Sequence, residues 1–127
     1  MLAVVDQNDY AMAIAGDMKN GKACPSYFTC GTPMASTAGS EALTGKRDFE
    51  RAKALVKEAG YKGEKIVLMS ATDQPIVNSQ ALVTQELLRK IGLNVELAAS
   101  DWGTMITRRS SKEPVEKGGW SIFHTWF

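Results

Sequence analysis

The sequence has few of the residues that hold metals or carry out acid–base and nucleophilic catalysis. It contains one histidine, His124, and two cysteines, Cys24 and Cys30, six residues apart. Two cysteines and one distant histidine are a poor donor set for zinc, and no C-x-x-C redox motif is present. Phosphate-binding glycine loops and the patterns G-x-S-x-G and H-E-x-x-H are also missing. The sequence therefore predicts a protein that is not an enzyme and that uses no metal or cofactor.

An excess of charge of one sign and long hydrophobic runs are missing too. The 15 Lys and Arg residues nearly balance the 14 Asp and Glu residues, so the net charge is +1, and the basic residues are scattered. Such a chain has no field that attracts nucleic acid or an anionic membrane. No apolar run approaches the ~20 residues that span a bilayer, and the first residues do not resemble a signal peptide. We expect no nucleic-acid partner and no membrane insertion.

The composition is that of an ordinary globular domain. Hydrophobic residues make up 44% of the 127 positions and charged residues 23%, which is enough for a single domain with a real core. The predicted order is a helix, a long loop over residues 17–45, a second helix, and then β-α-β-α-β. The second helix and the β-α-β-α-β unit together form a predicted α/β core over residues 48–127. This order predicts an α/β fold with a mostly parallel sheet and N-terminal helices.

The clearest pattern covers residues 64–97. Residues 64–71 are mostly apolar and rich in β-formers, and residues 93–97 alternate between apolar and polar, so both are predicted strands. The helix between them is predicted to begin at Pro75 and to end before Gly92. Its apolar residues recur at steps of three and four, and they are Ile76, Val77, Ala81, Val83, Leu87, Leu88 and Ile91. A strand, a crossover helix and a strand form a right-handed parallel unit that must be covered on both faces.

Three further helices are each predicted to begin after an aspartate that caps the first turn. These aspartates are Asp6, Asp48 and Asp101. The elements predicted from them are helices at 6–15, 49–59 and 102 to about 109, followed by a last strand at 120–127.

The long loop contains the two cysteines. Residues 17–45 are rich in glycine, proline and small polar residues, and a loop of this length usually has a function or is held in place. Cys24 and Cys30 would close a small disulfide loop in an oxidising compartment, and the alternative is a pair of reduced thiols.

Two features suggest where a ligand could bind. The polar segment 70–74 follows a predicted parallel strand and begins a helix, where ligands of α/β sheets tend to bind, although a capped turn explains it equally well. Of the three tryptophans, Trp120 is predicted to be core, Trp102 fits core or a ligand wall, and Trp126 favours a ligand wall at the strand end. His124 is predicted to be a packed core or strand-end histidine.

Several runs resemble a known family. Residues 48–61 (DFERAKALVKEAGY) and 85–97 (QELLRKIGLNVEL), followed by Asp101-Trp102, Arg108-Arg109 and 118–120, resemble the second lobe of the family 5 extracytoplasmic solute-binding proteins of bacterial ABC transporters. These proteins form the dipeptide, oligopeptide and nickel group, and the likeness covers nearly the whole chain.

The resemblance implies one lobe of a type II periplasmic-binding-protein-like fold. Its partners would be a small solute such as a peptide, the first lobe of the same protein, and the ABC permease. The protein itself would be periplasmic. In the peptide-binding members the last strand leads to an aromatic residue and then to an acidic one that holds the ligand's amino group, and this chain stops before that acidic position. The residues that the resemblance places at the cleft are Ser70, Thr72, Asp73, Trp102, Arg108, Trp126 and Phe127. For Arg108, the choice lies between pairing with a ligand carboxylate and being a solvated helix arginine.

Two alternatives stay open at this point. The chain could be a non-catalytic interaction domain, or a lobe of an enzyme built on the same two-lobed fold. Both ends look cut, because the sequence enters a helix at once and stops on an apolar segment. We therefore expect residues 1–127 to be a single domain excised from a larger protein, with any signal peptide outside it. The identity of the ligand does not follow from the sequence.

Overall fold

A computed structural model describes residues 4–19 and 21–125. Five helices and three strands lie in the order α1 (Gln7–Ala15), α2 (Glu41–Thr44), α3 (Phe49–Glu58), β1 (Ile66–Ala71), α4 (Pro75–Lys90), β2 (Val95–Ser100), α5 (Trp102–Arg109) and β3 (Ile122–Phe123), with a 3-10 turn at Val115–Lys117 before β3. The predicted α/β class and the β-α-β-α-β order are confirmed. The long loop differs from the prediction because it contains the short helix α2.

The strands form one parallel sheet in the order β2-β1-β3. β1 pairs with β2 from Ile66 opposite Val95 to Ala71 opposite Ser100. This register explains why β2 begins two residues later than predicted and ends three residues later, since its whole length matches β1. Within residues 120–125, the described part of the last predicted strand, β3 is shorter than predicted, because only Ile122 and Phe123 pair with β1 there.

Each face of the sheet has its own hydrophobic cluster. Successive residues of a strand point to opposite faces, so Leu68 and Met69 belong to different clusters. The cluster around Leu68 contains Val4, Ala52, Ala81, Leu88, Ile91 and Val95. The cluster around Met69 contains Ala71, Val77 and Met105, with Trp102, Trp120 and Phe123 packed against it. The central strand is therefore covered on both faces, as a parallel sheet requires.

The helix ends follow the predicted caps. The side chains of Asp6, Asp48 and Asp101 accept hydrogen bonds from backbone N–H groups in the first turns of α1, α3 and α5. At the end of α4, Gly92 has a φ of 90° and the Leu93 N–H donates to the Leu88 carbonyl at 3.1 Å. This bond turns the chain directly towards β2.

The apolar stripe of α4 differs from the prediction at three positions, of which Val83 is half-buried. Ile76 is 47% exposed, whereas Thr84 is 1% exposed and lies in the buried stripe with Ala81 and Leu88. Thr84 is tolerated there because its hydroxyl is hydrogen-bonded to two side chains, as described below. Among the described residues, none of the helices combines the length and apolar character needed to cross a bilayer.

The turn before β3 is tightly packed around Gly119. The Gly119 N–H donates to the Pro114 carbonyl at 3.0 Å, and a Cβ atom at position 119 would lie 1.8 Å from the Glu113 carbonyl oxygen. Backbone cannot move away as a flexible side chain can, so this position admits only glycine in the present turn.

We predict that Gly119→Ala lowers the free energy of unfolding by about 3 kcal/mol, the upper end of what overpacking costs. The neighbouring Gly118→Ala is the control, because Gly118 has a φ of 90° and open space around it. Its loss should stay near the roughly 1–2 kcal/mol of a left-handed residue. Urea unfolding of both variants measures the difference, and equal losses would contradict the packing argument.

Candidate functional site at the carboxyl edge of the sheet

The carboxyl ends of the three parallel strands lie at one edge of the sheet. Three loops leave that edge: residues 72–74 after β1, Asp101 after β2, and 124–125 after β3. In open parallel sheets this is the edge where ligands bind, in the crevice between neighbouring loops.

The first two loops are joined by hydrogen bonds. The Asp73 Oδ1 accepts from the Trp102 backbone N–H at 2.8 Å. The Thr72 backbone N–H donates to the Ser100 carbonyl at 2.8 Å, and the Thr72 hydroxyl donates to the same oxygen at 3.2 Å. Thr72 and Asp73 are exposed, and Trp102 is half-buried against the Met69 cluster. The structure thus brings together three of the residues predicted for the site.

The two helices at this edge begin differently. α5 begins with two carboxylates, since Asp101 accepts from the Thr104 hydroxyl at 2.5 Å and from its N–H at 2.9 Å, in addition to the bond from Trp102 to Asp73. The hydrogen bonds from Thr104 hold the pKa of Asp101 below its ordinary value. α4 begins after Gln74, which makes no side-chain cap bond. The edge therefore combines carboxylate acceptors with the backbone N–H donors of a helix start, and this combination suits a ligand that has both donors and acceptors.

Ser70 does not belong to the exposed part of this edge. It is 0% exposed, and its hydroxyl donates to Asn78 Oδ1 at 2.9 Å. The cleft position of Ser70 therefore stays a prediction, and in this structure its one hydroxyl is fully buried between β1 and α4. Ser70 instead fixes the first turns of α4 against the central strand.

The Arg108 guanidinium is hydrogen-bonded to backbone carbonyls of the same chain. Its Nε donates to the Gly118 carbonyl at 2.8 Å and its Nη2 to the Gly119 carbonyl at 2.9 Å. The planar fork thereby joins α5 to the turn before β3, and pairing of Arg108 with a ligand carboxylate stays a prediction. Trp120 lies nearby in the core as expected, with its indole N–H donating to the Arg109 carbonyl at 3.1 Å.

His124 takes part in a partly buried chain of hydrogen bonds that sequence reasoning missed. Its Nε2 lies 2.8 Å from the Thr84 hydroxyl, which lies 2.8 Å from the Tyr10 hydroxyl. Burial lowers the pKa of His124 and raises that of Tyr10. The chain links α1, α4 and the end of β3. The available signal was Thr84 itself, a polar residue at a position of the apolar stripe of α4.

The remaining predicted residues fall outside this edge or outside the described part of the chain. Trp126 and Phe127 lie outside the described residues. Cys24 and Cys30 are joined by a disulfide with an S–S distance of 2.13 Å, in the long loop. Within residues 4–19 and 21–125, no cluster of three or more His, Cys, Asp or Glu side chains could hold a metal ion.

Comparison with models of known protein families shows which family the chain belongs to. Residues 6–126 match the model for bacterial extracellular solute-binding proteins, family 5 Middle. The chain belongs to this family. The resemblance expected from the sequence is thereby confirmed over nearly the whole length of the family 5 chain.

The family 5 chain is similar to one curated protein and to two solved structures. A probable peptide ABC transporter periplasmic-binding protein, y4tO of Sinorhizobium fredii, is 41% identical over 125 residues, which are 98% of this chain and 24% of the relative. The ABC transporter substrate-binding protein CtaP of Listeria monocytogenes matches with a TM-score of 0.71 at 23% identity, over 85% of this chain and 22% of CtaP. AppA of Clostridium difficile, a candidate peptide-binding protein, matches with a TM-score of 0.62 at 24% identity, over 88% of this chain and 22% of AppA. The similarity to the two structures supports the fold alone. The family 5 chain spans about a quarter of the length of each of these three proteins.

We predict that the free energy of unfolding falls as the pH drops below 6.5, the ordinary pKa of a histidine such as His124. Burial keeps the folded imidazole neutral, so in this range the unfolded chain binds a proton that the folded chain does not bind. His124→Gln should remove this part of the loss and keep a hydrogen bond to Thr84. Urea unfolding at about pH 7.5 and pH 5 tests this, since the carboxylates with lowered pKa, such as Asp6 and Asp101, titrate below that range. The same loss in His124→Gln as in the original chain would contradict the prediction.

Proposed function

We propose that the family 5 chain is one lobe of the substrate-binding component of a bacterial ABC transporter. The carboxyl edge of its sheet would form one wall of the interlobe cleft that captures a peptide for import. The observation that carries this proposal is the 41% identity, along 98% of the chain, to a protein named for peptide ABC transport and the periplasm. The family and this relative are named for binding and transport, so we propose a binding function and not catalysis.

A second lobe and a permease are part of the proposal. The chain covers 24% of the curated relative and 22% of each structure, which leaves room for a first lobe in the same polypeptide. A two-lobed receptor gains affinity when both lobes contact the ligand and exclude water. The Cys24–Cys30 disulfide fits the oxidising periplasm that the proposal requires.

The chemistry of the edge supports a peptide as the solute. The Asp73 carboxylate uses one oxygen for the Trp102 N–H, and it is exposed. A carboxylate has about four acceptor sites, so Asp73 can also accept from the amide or ammonium group of a peptide. Thr72 adds a second polar contact and Trp102 an aromatic wall. By the family resemblance, Trp126 and Phe127 would extend this wall.

The first experiment is calorimetric titration of the longer protein that carries this segment, with the 127-residue chain beside it. The titrants are pooled short peptides, with a nickel salt and an oligosaccharide as controls. We expect peptides to bind the longer protein and to bind the isolated chain weakly or not at all. Binding of nickel or sugar alone would overturn the peptide assignment. Tight peptide binding by the isolated chain would overturn the proposal that it forms only one wall of the cleft, and would favour a binding module that functions by itself.

We predict that Asp73→Asn in the longer protein weakens peptide binding about tenfold, the scale of one hydrogen bond to a charged group. Asparagine retains an oxygen acceptor for the Trp102 N–H, so thermal stability should change little. Glu58→Gln removes one negative charge at an exposed position of α3 and serves as the matched control. Unchanged affinity in Asp73→Asn would remove Asp73 from the proposed site.

A further inference from the structure

The Cys24–Cys30 disulfide lies in a loop that is open to solvent. Cys30 is exposed, whereas Cys24 is half-buried. Inside the ring that the disulfide closes, Tyr27 is 95% exposed and Phe28 is 43% exposed. Exposed disulfides are the ones that thiols open most readily. The two cysteines therefore differ in accessibility, and Cys30 is the one that an incoming thiol reaches more easily.

Cys24 is also the fixed member of the pair. The Gln7 side chain donates to the Cys24 carbonyl at 2.9 Å and accepts from the Cys24 N–H at 2.6 Å. Both backbone groups of Cys24 are thereby bound to the first turn of α1. These two bonds do not depend on the disulfide. If the S–S bond opens, Cys24 keeps its place and Cys30 loses its covalent link to it.

The Cys24 sulfur has a donor that stabilises it as a leaving group. The Cys30 backbone N–H donates to Cys24 Sγ at 3.1 Å. A disulfide sulfur is a weak acceptor, and hydrogen bonds to a charged acceptor are stronger, so this bond strengthens as negative charge develops on Cys24. The Phe28 carbonyl oxygen lies 3.9 Å from the same sulfur and can accept the S–H bond once the thiolate has taken a proton. A stabilised thiolate leaves faster.

The charge of this segment favours an anionic reagent. Residues 18–40 contain two lysines, Lys19 and Lys22, and no aspartate or glutamate. Lys22 is exposed and precedes Cys24 by two positions. The species that attacks a disulfide is the thiolate and not the thiol, and neighbouring lysines both attract a thiolate and stabilise the one that is released. Accessibility, leaving-group stabilisation and local charge therefore all favour the same reaction.

We propose that the Cys24–Cys30 disulfide is a site of reversible thiol–disulfide exchange, at which the thiolate of a dithiol attacks Cys30 and Cys24 leaves. The reaction involves neither the carboxyl edge of the sheet nor a peptide. Its success or failure is therefore independent of the proposed function.

The exchange proceeds in two balanced steps. The electron pair of the incoming thiolate forms a new S–S bond to Cys30 Sγ, and the electron pair of the old bond leaves with Cys24, which then takes a proton from water. The second thiolate of the dithiol attacks the mixed disulfide at its own partner sulfur and releases the Cys30 thiolate. Two electrons have then passed to the protein, and the dithiol has become a disulfide. A disulfide oxidant reverses both steps.

The opened loop differs from the closed one at its aromatic tip. Tyr27 and Phe28 lie between the two cysteines, and their rings meet edge to face at 5.2 Å. Because Gln7 holds Cys24, reduction releases the Cys30 end of the ring and with it the constraint on this tip. The disulfide thus sets how firmly two exposed aromatic side chains are held beside α1.

Trapping of the mixed disulfide in the longer protein is the first test. Glutathione, a monothiol, is added for short times, and iodoacetamide then blocks every free thiol. Chymotrypsin cuts after Tyr27 and Phe28, between the two cysteines, and mass spectrometry shows which cysteine carries glutathione. We expect glutathione on Cys30 and the alkyl group on Cys24 in at least about tenfold excess over the reverse arrangement.

A synthetic peptide of residues 22–32, oxidised to the same disulfide, is the control. It has the same local sequence and charge but lacks Gln7, so we expect the two arrangements to lie within about threefold of each other. An even mixture in the protein, or an excess of glutathione on Cys24, would overturn the direction of attack. No mixed disulfide in the protein under conditions that open the peptide would overturn the exchange itself. After reduction with dithiothreitol, oxidised glutathione should restore the disulfide, and its failure to do so would contradict reversibility.

A substitution of Gln7 tests why Cys30 is preferred. Gln7→Leu removes both bonds to the Cys24 backbone, so the excess of glutathione on Cys30 should fall towards that of the peptide, to about threefold or less. Gln85→Leu, the same change at a half-buried position of α4, is the matched control and should keep the full excess. An unchanged excess in Gln7→Leu would overturn the role of the Cys24 anchor.

Discussion

The parallel pairing of β1 with β2 and β3 is the interaction on which the rest of the structure depends. β1 is buried from Val67 to Ala71, and it contributes a large side chain to each hydrophobic cluster. Such a strand is stable only between two layers, so helices must cover both faces. The same pairing aligns the carboxyl ends of all three strands, and that alignment creates the edge where Thr72, Asp73 and Trp102 meet. The fold and the candidate site therefore have one physical origin.

Polar groups at the layer boundaries fix how the helices sit on this sheet. Ser70 bonds Asn78, and Thr84 bonds both His124 and Tyr10, all between the sheet and the helices on one face. A buried hydrogen bond adds little net stability, but an unpaired partner is costly, so these bonds favour one register of α4 over its neighbours. On the other face, Arg108 has a comparable role because its guanidinium holds the turn before β3.

The sequence was sufficient for the class of fold because local signals and burial agree in the strand-helix-strand unit. Apolar periodicity located α4, and the capping residues located the starts of α1, α3 and α5. The length of β3 and the burial of Thr84 could not be predicted in this way. Both depend on which residue of another element lies opposite, and this is a tertiary property. For the same reason the sequence could suggest that Ser70 and Arg108 are polar and near the edge, but not that each already has hydrogen-bond partners within the chain.

The candidate site thus separates into residues that hold the edge together and residues that remain available to a solute. Thr72 and Asp73 belong to both groups, since each makes a bond between loops and stays exposed. This double role has a physical consequence: the hydrogen bond from the Trp102 backbone N–H holds the Asp73 carboxylate next to the residue that carries the aromatic ring. A ligand would then meet a preorganised acceptor beside an apolar wall, which lowers the cost of ordering the site. Under the proposed function this edge is one wall of a cleft, and the remaining affinity would come from the proposed second lobe.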